Sequence, residues 1–260
     1  NIMELISRAH ELKEEFVNYR RDFHRNPELG MEEHRTSKIV ADYLKSLGLE
    51  VQTGVANTGV VGLLKGSKPG KTIGLRADMD ALPMQEEVDL DYKSKIDGIM
   101  HSCGHDIHTA TLLGAAVVLK ENQEKVMGTV KFFFQPAEEG PGGAVPLIEA
   151  GILDKYKPDE IYALHVSPDY KAGVIATKPG TLFVSSSELL VDLYGKSCHG
   201  ALPHEGNDMI VAGMNLVNQL HTIISRNINP SNCAVVTIGK FNAGTRLNIV
   251  TDHARIEGTL

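Results

Sequence analysis

The stretch that decides the fold is TVKFFFQPAEEG, residues 129–140. It reads as a short apolar strand that runs straight into polar residues, so the chain leaves the sheet at Gln135 and turns. Working outward, TATLLGAAVVLKENQ (109–123) is rich in Ala and Leu and reads as a buried helix. GGAVPLIEAG (142–151) reads as a short helix and DEIYALHV (159–166) as a second apolar strand. Strands alternating with helices predict a parallel or mixed sheet with helices on both faces. Upstream, VVGLLKGSKPGKTIGLRAD (60–78) reads as a hairpin closed by a Gly-Ser-Lys-Pro-Gly turn. MELISRAHELKEEFVNYRRDFHRNP (3–27) has apolar residues at three- and four-residue steps and reads as one helix ended by Pro27. EEHRTSKIVADYLKSLG (32–48) is a second helix, stopped by Gly48.

The pattern changes near residue 186. SELLVDLYGK (187–196) alternates like a half-exposed strand, and NDMIVAGMNLVNQLHTIISR (207–226) reads as a helix with Asn207 as N-cap. CAVVTIGKF (233–241) and LNIVTDHARIEGTL (247–260) add two strands. This β-α-β-β pattern lacks the last helix and strand of a β-α-β-β-α-β unit. The expectation is an α/β domain over 1–185 and an incomplete α+β domain over 186–260, together a piece of a longer protein.

Composition narrows the function classes. The net charge of -7 and the absence of Trp argue against nucleic acid. No apolar run approaches the roughly 18 residues of a membrane span. Three cysteines make no disulfide framework, so a reducing, cytoplasmic setting is expected.

Ligand-type residues collect where strands end, which is where sites form in open α/β sheets. TIGLRADMD ends in Asp78 and Asp80, FFFQPAEEG in Glu138 and Glu139, and IYALHV carries His165. MHSCGHDIHTAT (100–111) holds Cys103, His105 and Asp106 beside a helix start, which favours a thiolate electrostatically. Taken singly, each has a plain structural reading: a solvated turn, a turn cap or a buried Cys. Their joint occurrence points to a borderline metal such as Zn2+. Adjacent glutamates at a strand end point different ways, so one can bind metal while the other takes a proton from an attacking water. That chemistry is hydrolysis of an amide or ester. A Cys103 nucleophile with a His base is the weaker alternative. His108 shares a helix face with His105 and reads as a support or a packing residue. No role is assigned to His101, and His24 reads as an ordinary core or surface residue.

Seven segments then carry a resemblance: RRDFHRNPELGMEEHRTSKIVADYL (20–44), GLRADMDALPMQE (74–86), MHSCGHDIHTATLLGAA (100–116), FFFQPAEEGPGGA (132–144), ALHVSP (163–168), HGALPHEGNDMI (199–210) and LNIV (247–250). In this order the chain resembles the aminoacylase/hippuricase-like amidohydrolases, which include the auxin-conjugate hydrolases, a branch of the dinuclear-metal peptidase superfamily. The resemblance implies a zinc-exopeptidase-like domain with a smaller ferredoxin-like lid. It implies two divalent ions, Zn2+ first with Mn2+, Ni2+ or Co2+ as alternatives. Their ligands would be Cys103 (bridging), His105, Glu139 and His165, with Glu138 as general base. Asp80 would orient His105, and Asp78 stands where other branches place a metal-binding His. His199 would reach a partner subunit's site and hold the carbonyl oxygen, which implies a homodimer, and Asn248 would lie near the substrate carboxylate. The implied reaction is cleavage of N-acyl amino acids. A dipeptidase or aminopeptidase, or an inactive metal-binding dimerisation module, are the other readings. A last His ligand in a C-terminal segment, usual in the family, is not among these 260 residues.

Overall fold

Phe132, Phe133 and Phe134 divide the first unit into its two layers, because consecutive residues of a strand face opposite sides of the sheet. Phe132 and Phe134 join a core with Phe23, Val40, Leu44, Val60 and Leu113, whereas Phe133 packs with Val55, Val61, Leu147 and Ile152. The computed structural model of the chain describes residues 2–140, 142–183 and 185–260. It divides into two compact units, Asn1–Ala172 and Gly173–Leu260, against the border at 185/186 expected from the sequence.

In the first unit five strands form one sheet: β1 (Glu50–Val55), β2 (Gly59–Lys65), β3 (Lys68–Asp78), β4 (Met127–Gln135) and β5 (Glu160–Ala163), in the order β1-β2-β4-β3-β5. β2 runs antiparallel to β1 and β4, while β3 runs parallel to β4 and β5. The first core gathers residues from α2 (Lys13–Arg25), α3 (His34–Ser46) and α4 (His105–Glu121) on one face. The second gathers residues from α5 (Ala144–Glu149) and α6 (Ile152–Tyr156) on the other. The expected mixed sheet with helices on both faces is therefore present.

The hairpin expected over 60–78 does not form, because β4 lies between β2 and β3. β4 is buried along most of its length, and such a strand needs a hydrogen-bonding neighbour on each side. The turn instead passes over the start of β4, where Gly66 N donates to Gly128 O (2.8 Å) and Ser67 N to Val126 O (3.1 Å). A Cβ at Gly128, whose φ is +87°, would lie 2.0 Å from Lys71 O, so this crossing needs glycine. The hairpin that does form joins β1 to β2 through Ala56 and Asn57, both at positive φ.

The first helix is also corrected. It is split at Leu12 into α1 (Ile2–Glu11) and α2. Leu12 is buried while α1 has no buried residue. Backbone bonds from Leu12 N to Arg8 O and from Phe16 N to Leu12 O carry across the break.

The second unit holds an antiparallel sheet of β6 (Glu188–Tyr194), β8 (Thr237–Ala243) and β10 (His253–Thr259) in the order β6-β10-β8. Its core strand is β10, where Ala254 and Ile256 are fully buried. Its helix, α7 (Met209–Asn227), comes so close to β8 that a Cβ at Gly213 would meet the Phe241 ring at 2.7 Å. β7 (Cys198–His199) pairs with β9 (Ile249–Val250). The N-cap of α7 is Asp208, not Asn207: its Oδ1 accepts from Ile210 N (2.9 Å) and Val211 N (3.2 Å). Asn207 is committed to a backbone bridge with Lys196.

Two stability outcomes follow. Phe132→Ala is expected to destabilise the first unit by about 3–5 kcal/mol, measured by denaturant unfolding; a loss under 1 kcal/mol would contradict its central place. Asp208→Ala is expected to cost about 1 kcal/mol, with Asp208→Asn retaining most of it, measured the same way.

Candidate metal centre

The parallel register of β3 and β4 ends at Asp78↔Gln135. One residue on, Met79 N still donates to Gln135 O (3.0 Å). The two chains therefore leave the sheet side by side, with Asp78 and Asp80 on one and Glu138 and Glu139 on the other. Both aspartates are buried. α4 begins at this edge, and its first residue, His105, is fully buried.

His105 is fixed by its Nδ1, which sits 2.9 Å from Asp80 O and 3.2 Å from Asp80 Oδ1. The other carboxylate oxygen of Asp80 accepts from Glu139 N (2.9 Å), so one side chain ties the β4 turn to the helix. With Nδ1 so engaged, His105 presents Nε2, which is buried and has no hydrogen-bond partner among the described residues. Around it lie Asp78 Oδ2 (3.6 Å), Glu138 Oε2 (3.8 Å) and Glu139 Oε1 (3.8 Å). Glu139 Oε1 is likewise buried and without a hydrogen bond. On the far side, His165 Nε2 lies 3.3 Å from Cys103 Sγ, and its Nδ1 donates to Val166 O (2.7 Å). The described residues offer three overlapping triads with ligand atoms within 4.8 Å of one another: Cys103-His105-His165, His105-Glu138-Glu139 and Asp78-His105-His108. A buried imidazole nitrogen and a buried carboxylate oxygen left unpaired are costly unless a cation joins them. The thiol, imidazole and carboxylate set suits a borderline divalent ion.

The electrostatics are those of crowded acids. Partial burial and the adjacent Glu139 carboxylate raise Glu138 above the ordinary carboxylate range. Burial works against ionisation of Asp78, yet the hydrogen bond from His108 and the Arg76 charge hold it at about 2. Asp80 is also lowered, burial being outweighed by His105 and by backbone N–H groups. The helix start does not favour a Cys103 thiolate as expected. Burial and the neighbouring Glu139 and Glu138 carboxylates push this thiol up to about 12. Nearby full charges exceed the roughly half charge of a helix terminus.

Several supporting residues carry no signal in the sequence. Glu33, fully buried, accepts from Ala137 N (2.7 Å) and Thr58 Oγ1 (2.5 Å), and so holds the turn before Glu138. Its partners are 104 and 25 residues away, beyond any local pattern. His24 is buried between Asp106 (2.8 Å) and Glu86 (3.1 Å), with Arg20 also on Asp106 (2.8 Å). Arg20 and His24 stand one helical turn apart, which is the only hint available. Gly104, at φ +91°, lets the Cys103 turn approach the other side: a Cβ there would lie 2.4 Å from Val166 Cγ2.

The remaining sequence candidates lie in the second unit. Cys198↔Val250 and His199↔Ile249 pairing brings His199 beside Asn248, whose carbonyl accepts from Gly200 N (2.9 Å). The His199 side chain is exposed, and its Nδ1 accepts from Ala201 N (3.0 Å).

The chain has known relatives. Residues 74–257 match the family described as Peptidase family M20/M25/M40, and the chain belongs to that family. It is 48% identical over 246 residues to the N-acetyldiaminopimelate deacetylase of Anoxybacillus flavithermus, and 48% identical over 248 residues to that of Geobacillus thermodenitrificans. These matches cover 94% of this chain, which spans 65% of the length of each relative. Among solved structures it is similar to one assigned to an aminohydrolase of methicillin-resistant Staphylococcus aureus (38% identity, TM-score 0.88, covering 100% of this chain and 69% of that one). It is also similar to the Bacillus subtilis YXEP protein, described as a dinuclear metal binding peptidase from the M20 family (36% identity, TM-score 0.74, covering 96% and 64%).

The buried His24 gives a pH signature. Burial disfavours its charge, but Asp106 and Glu86 more than compensate, so its folded pKa is raised. Its stabilisation is therefore complete below an unfolded value of about 6.5 and is lost as pH rises through the higher folded value. Metal-free protein is expected to lose unfolding temperature across that window, and His24→Phe to flatten the loss. An identical slope in the variant would contradict the charged pair.

Proposed function

We propose that the chain carries the hydrolytic site of a metal-dependent amidohydrolase that removes the acyl group from N-acyl amino acids. The observation that carries it is the unpartnered Nε2 of buried His105, facing Glu138 and Glu139 at the edge where Cys103 and His165 also meet. Cys103, His105, Glu139 and His165 would hold two divalent ions, zinc first. Bound there, the ions would supply Lewis-acid polarisation of the amide carbonyl and a more acidic water.

Glu138 does the proton work in this reading. Its carboxylate takes a proton from the attacking water as the C–O bond forms. It then passes that proton to the amide nitrogen as the C–N bond breaks, which releases a carboxylic acid and an amine. A raised pKa suits a group that must both accept and return a proton near neutrality. Asp80 keeps the proton of His105 on Nδ1 and so leaves Nε2 free to ligate.

The relatives named N-acetyldiaminopimelate deacetylase support an acetyl group on a diamino dicarboxylic acid as the preferred substrate, ahead of an auxin conjugate. The relative described as a dinuclear metal binding peptidase supports a dipeptidase as the second reading. His199 and Asn248, neighbours in the second unit, would hold the carbonyl oxygen and the substrate carboxylate, His199 from a partner subunit. That role makes the protein a homodimer. Three free cysteines support a cytoplasmic setting. Among the described residues no helix is long and apolar enough to cross a membrane.

Zinc-loaded protein is expected to release acetate from N-acetyldiaminopimelate faster than it cleaves dipeptides, and to hold about two ions per chain. Glu138→Gln should lower the rate about 100- to 10,000-fold with metal content unchanged. An unchanged rate would remove Glu138 as base. Absence of any hydrolysis across N-acyl amino acids and dipeptides would favour the inactive metal-binding module. Light scattering that finds only monomer would remove the trans role of His199, and recovery of the protein outside the cytoplasmic fraction would remove the setting.

A further inference from the structure

His108 lies one turn beyond His105 on α4, with the two ring centroids 5.5 Å apart. It is buried, and on distance alone it joins Asp78 and His105 in a ligand triad. Its hydrogen bonds exclude that role. The backbone N–H of Val166 donates to His108 Nε2 (3.0 Å), so Nε2 carries a lone pair already in use. The ring proton must then sit on Nδ1, from which it is donated to Asp78 Oδ1 (2.6 Å). Asp78 is equally committed, since its Oδ2 accepts from Arg76 Nη1 (2.6 Å) and its carbonyl from Thr109 Oγ1 (2.7 Å).

The other end of this chain of bonds is the residue after His165. The β3–β5 ladder ends at Arg76↔Ala163, so residues 164–167 run on without a strand partner. Val166 is held there from both sides: its N–H by His108, its C=O by the Nδ1 of His165. The same contacts turn His165 Nε2 toward Cys103 Sγ, and the His108 and His165 rings meet edge to face at 4.6 Å.

We propose that His108, anchored by Asp78, is a positioning residue that fixes the Val166 peptide and thereby aims His165 at the metal. This rests on the reading of His165 as a ligand. In this reading His108 and Asp78 belong to the supporting layer of the site, not to the set that touches the ion.

The two amides that most resemble histidine separate the bonds. His108→Gln reaches about as far as Nε2 and keeps an acceptor for Val166 N–H. His108→Asn reaches only about as far as Nδ1 and keeps the Asp78 contact alone. Zinc and cobalt affinities are measured by competition with a chelator, with the spectrum of the cobalt-loaded protein and the unfolding temperature of the metal-free protein recorded for each variant. His108→Asn is expected to bind one of the two ions about 10- to 100-fold more weakly, with an altered cobalt spectrum, while His108→Gln stays near the parent. His165→Ala should weaken the same ion. Equal losses in Asn and Gln, or none in either, overturn the positioning role while leaving His165 a ligand if His165→Ala still loses its ion. Unchanged affinity in His165→Ala overturns the ligand reading and with it the relay. Should either amide variant fail to fold, His108→Phe, which keeps ring volume but offers neither bond, is expected to lose that ion, and its retention overturns the proposal.

Discussion

The site depends on one constraint: β3 and β4 run parallel and end in register. Asp78 faces Gln135 across the ladder, and the bond from Met79 N to Gln135 O extends the alignment past the last paired residues. Parallel neighbours deliver their carboxyl ends to the same edge, whereas a hairpin would have sent them to opposite edges. Four acidic side chains thus reach one place because a strand buried on both faces took the slot between β2 and β3. The apolar alternation of Phe132, Phe133 and Phe134 is what makes that central slot the stable one.

Gathering acids this way creates an electrostatic problem that the surroundings solve unequally. Asp78 and Asp80 keep their charge through hydrogen bonds from imidazole, guanidinium and backbone donors. Among the described residues Glu138 has no comparable donors; it sits beside Glu139 and is raised. Cys103 is pushed the same way, since a thiol among carboxylates gains nothing by ionising. The two lowered acids and the raised one are thus separated by their hydrogen bonds rather than by residue type. A divalent cation would reverse the balance at Cys103, because a coordinated thiol loses its proton.

Much of this was legible in the sequence, and the limits have physical causes. The ligand-type residues could be located because strand ends carry sites, and Cys103, His105, Glu138, Glu139 and His165 do converge. The strand order could not, since periodicity reports which residues are buried and not which strand is the neighbour; the glycines at 66 and 128 that permit the crossing resemble any turn. The cap of α7 slipped by one residue because Asn207 and Asp208 are both good caps and only the bridge to Lys196 decides between them. The helix start does not make Cys103 a thiolate, because tertiary structure brings carboxylates whose charge outweighs the dipole. Glu33 and His24 were silent for a related reason: a buried ion shows its purpose only with its distant partners.

Two of the turns that carry ligand-type residues are held in the same manner, which says something about how the cluster keeps its geometry. The turn carrying Glu138 and Glu139 follows Ala137, a residue at positive φ whose N–H is bound by Glu33. The turn carrying His165 precedes Val166, whose N–H is bound by His108. In each case the sheet has already ended, and a buried side chain from a helix or its approach supplies the acceptor the ladder no longer provides. Ligand atoms tolerate errors of only a few tenths of an ångström, which unanchored loop backbone does not deliver. Clamping the peptide next to such a residue gives loop residues the precision of a strand while leaving their side chains free to converge. His105 needs no such clamp, because its place as the first residue of α4 and its bonds to Asp80 already fix it.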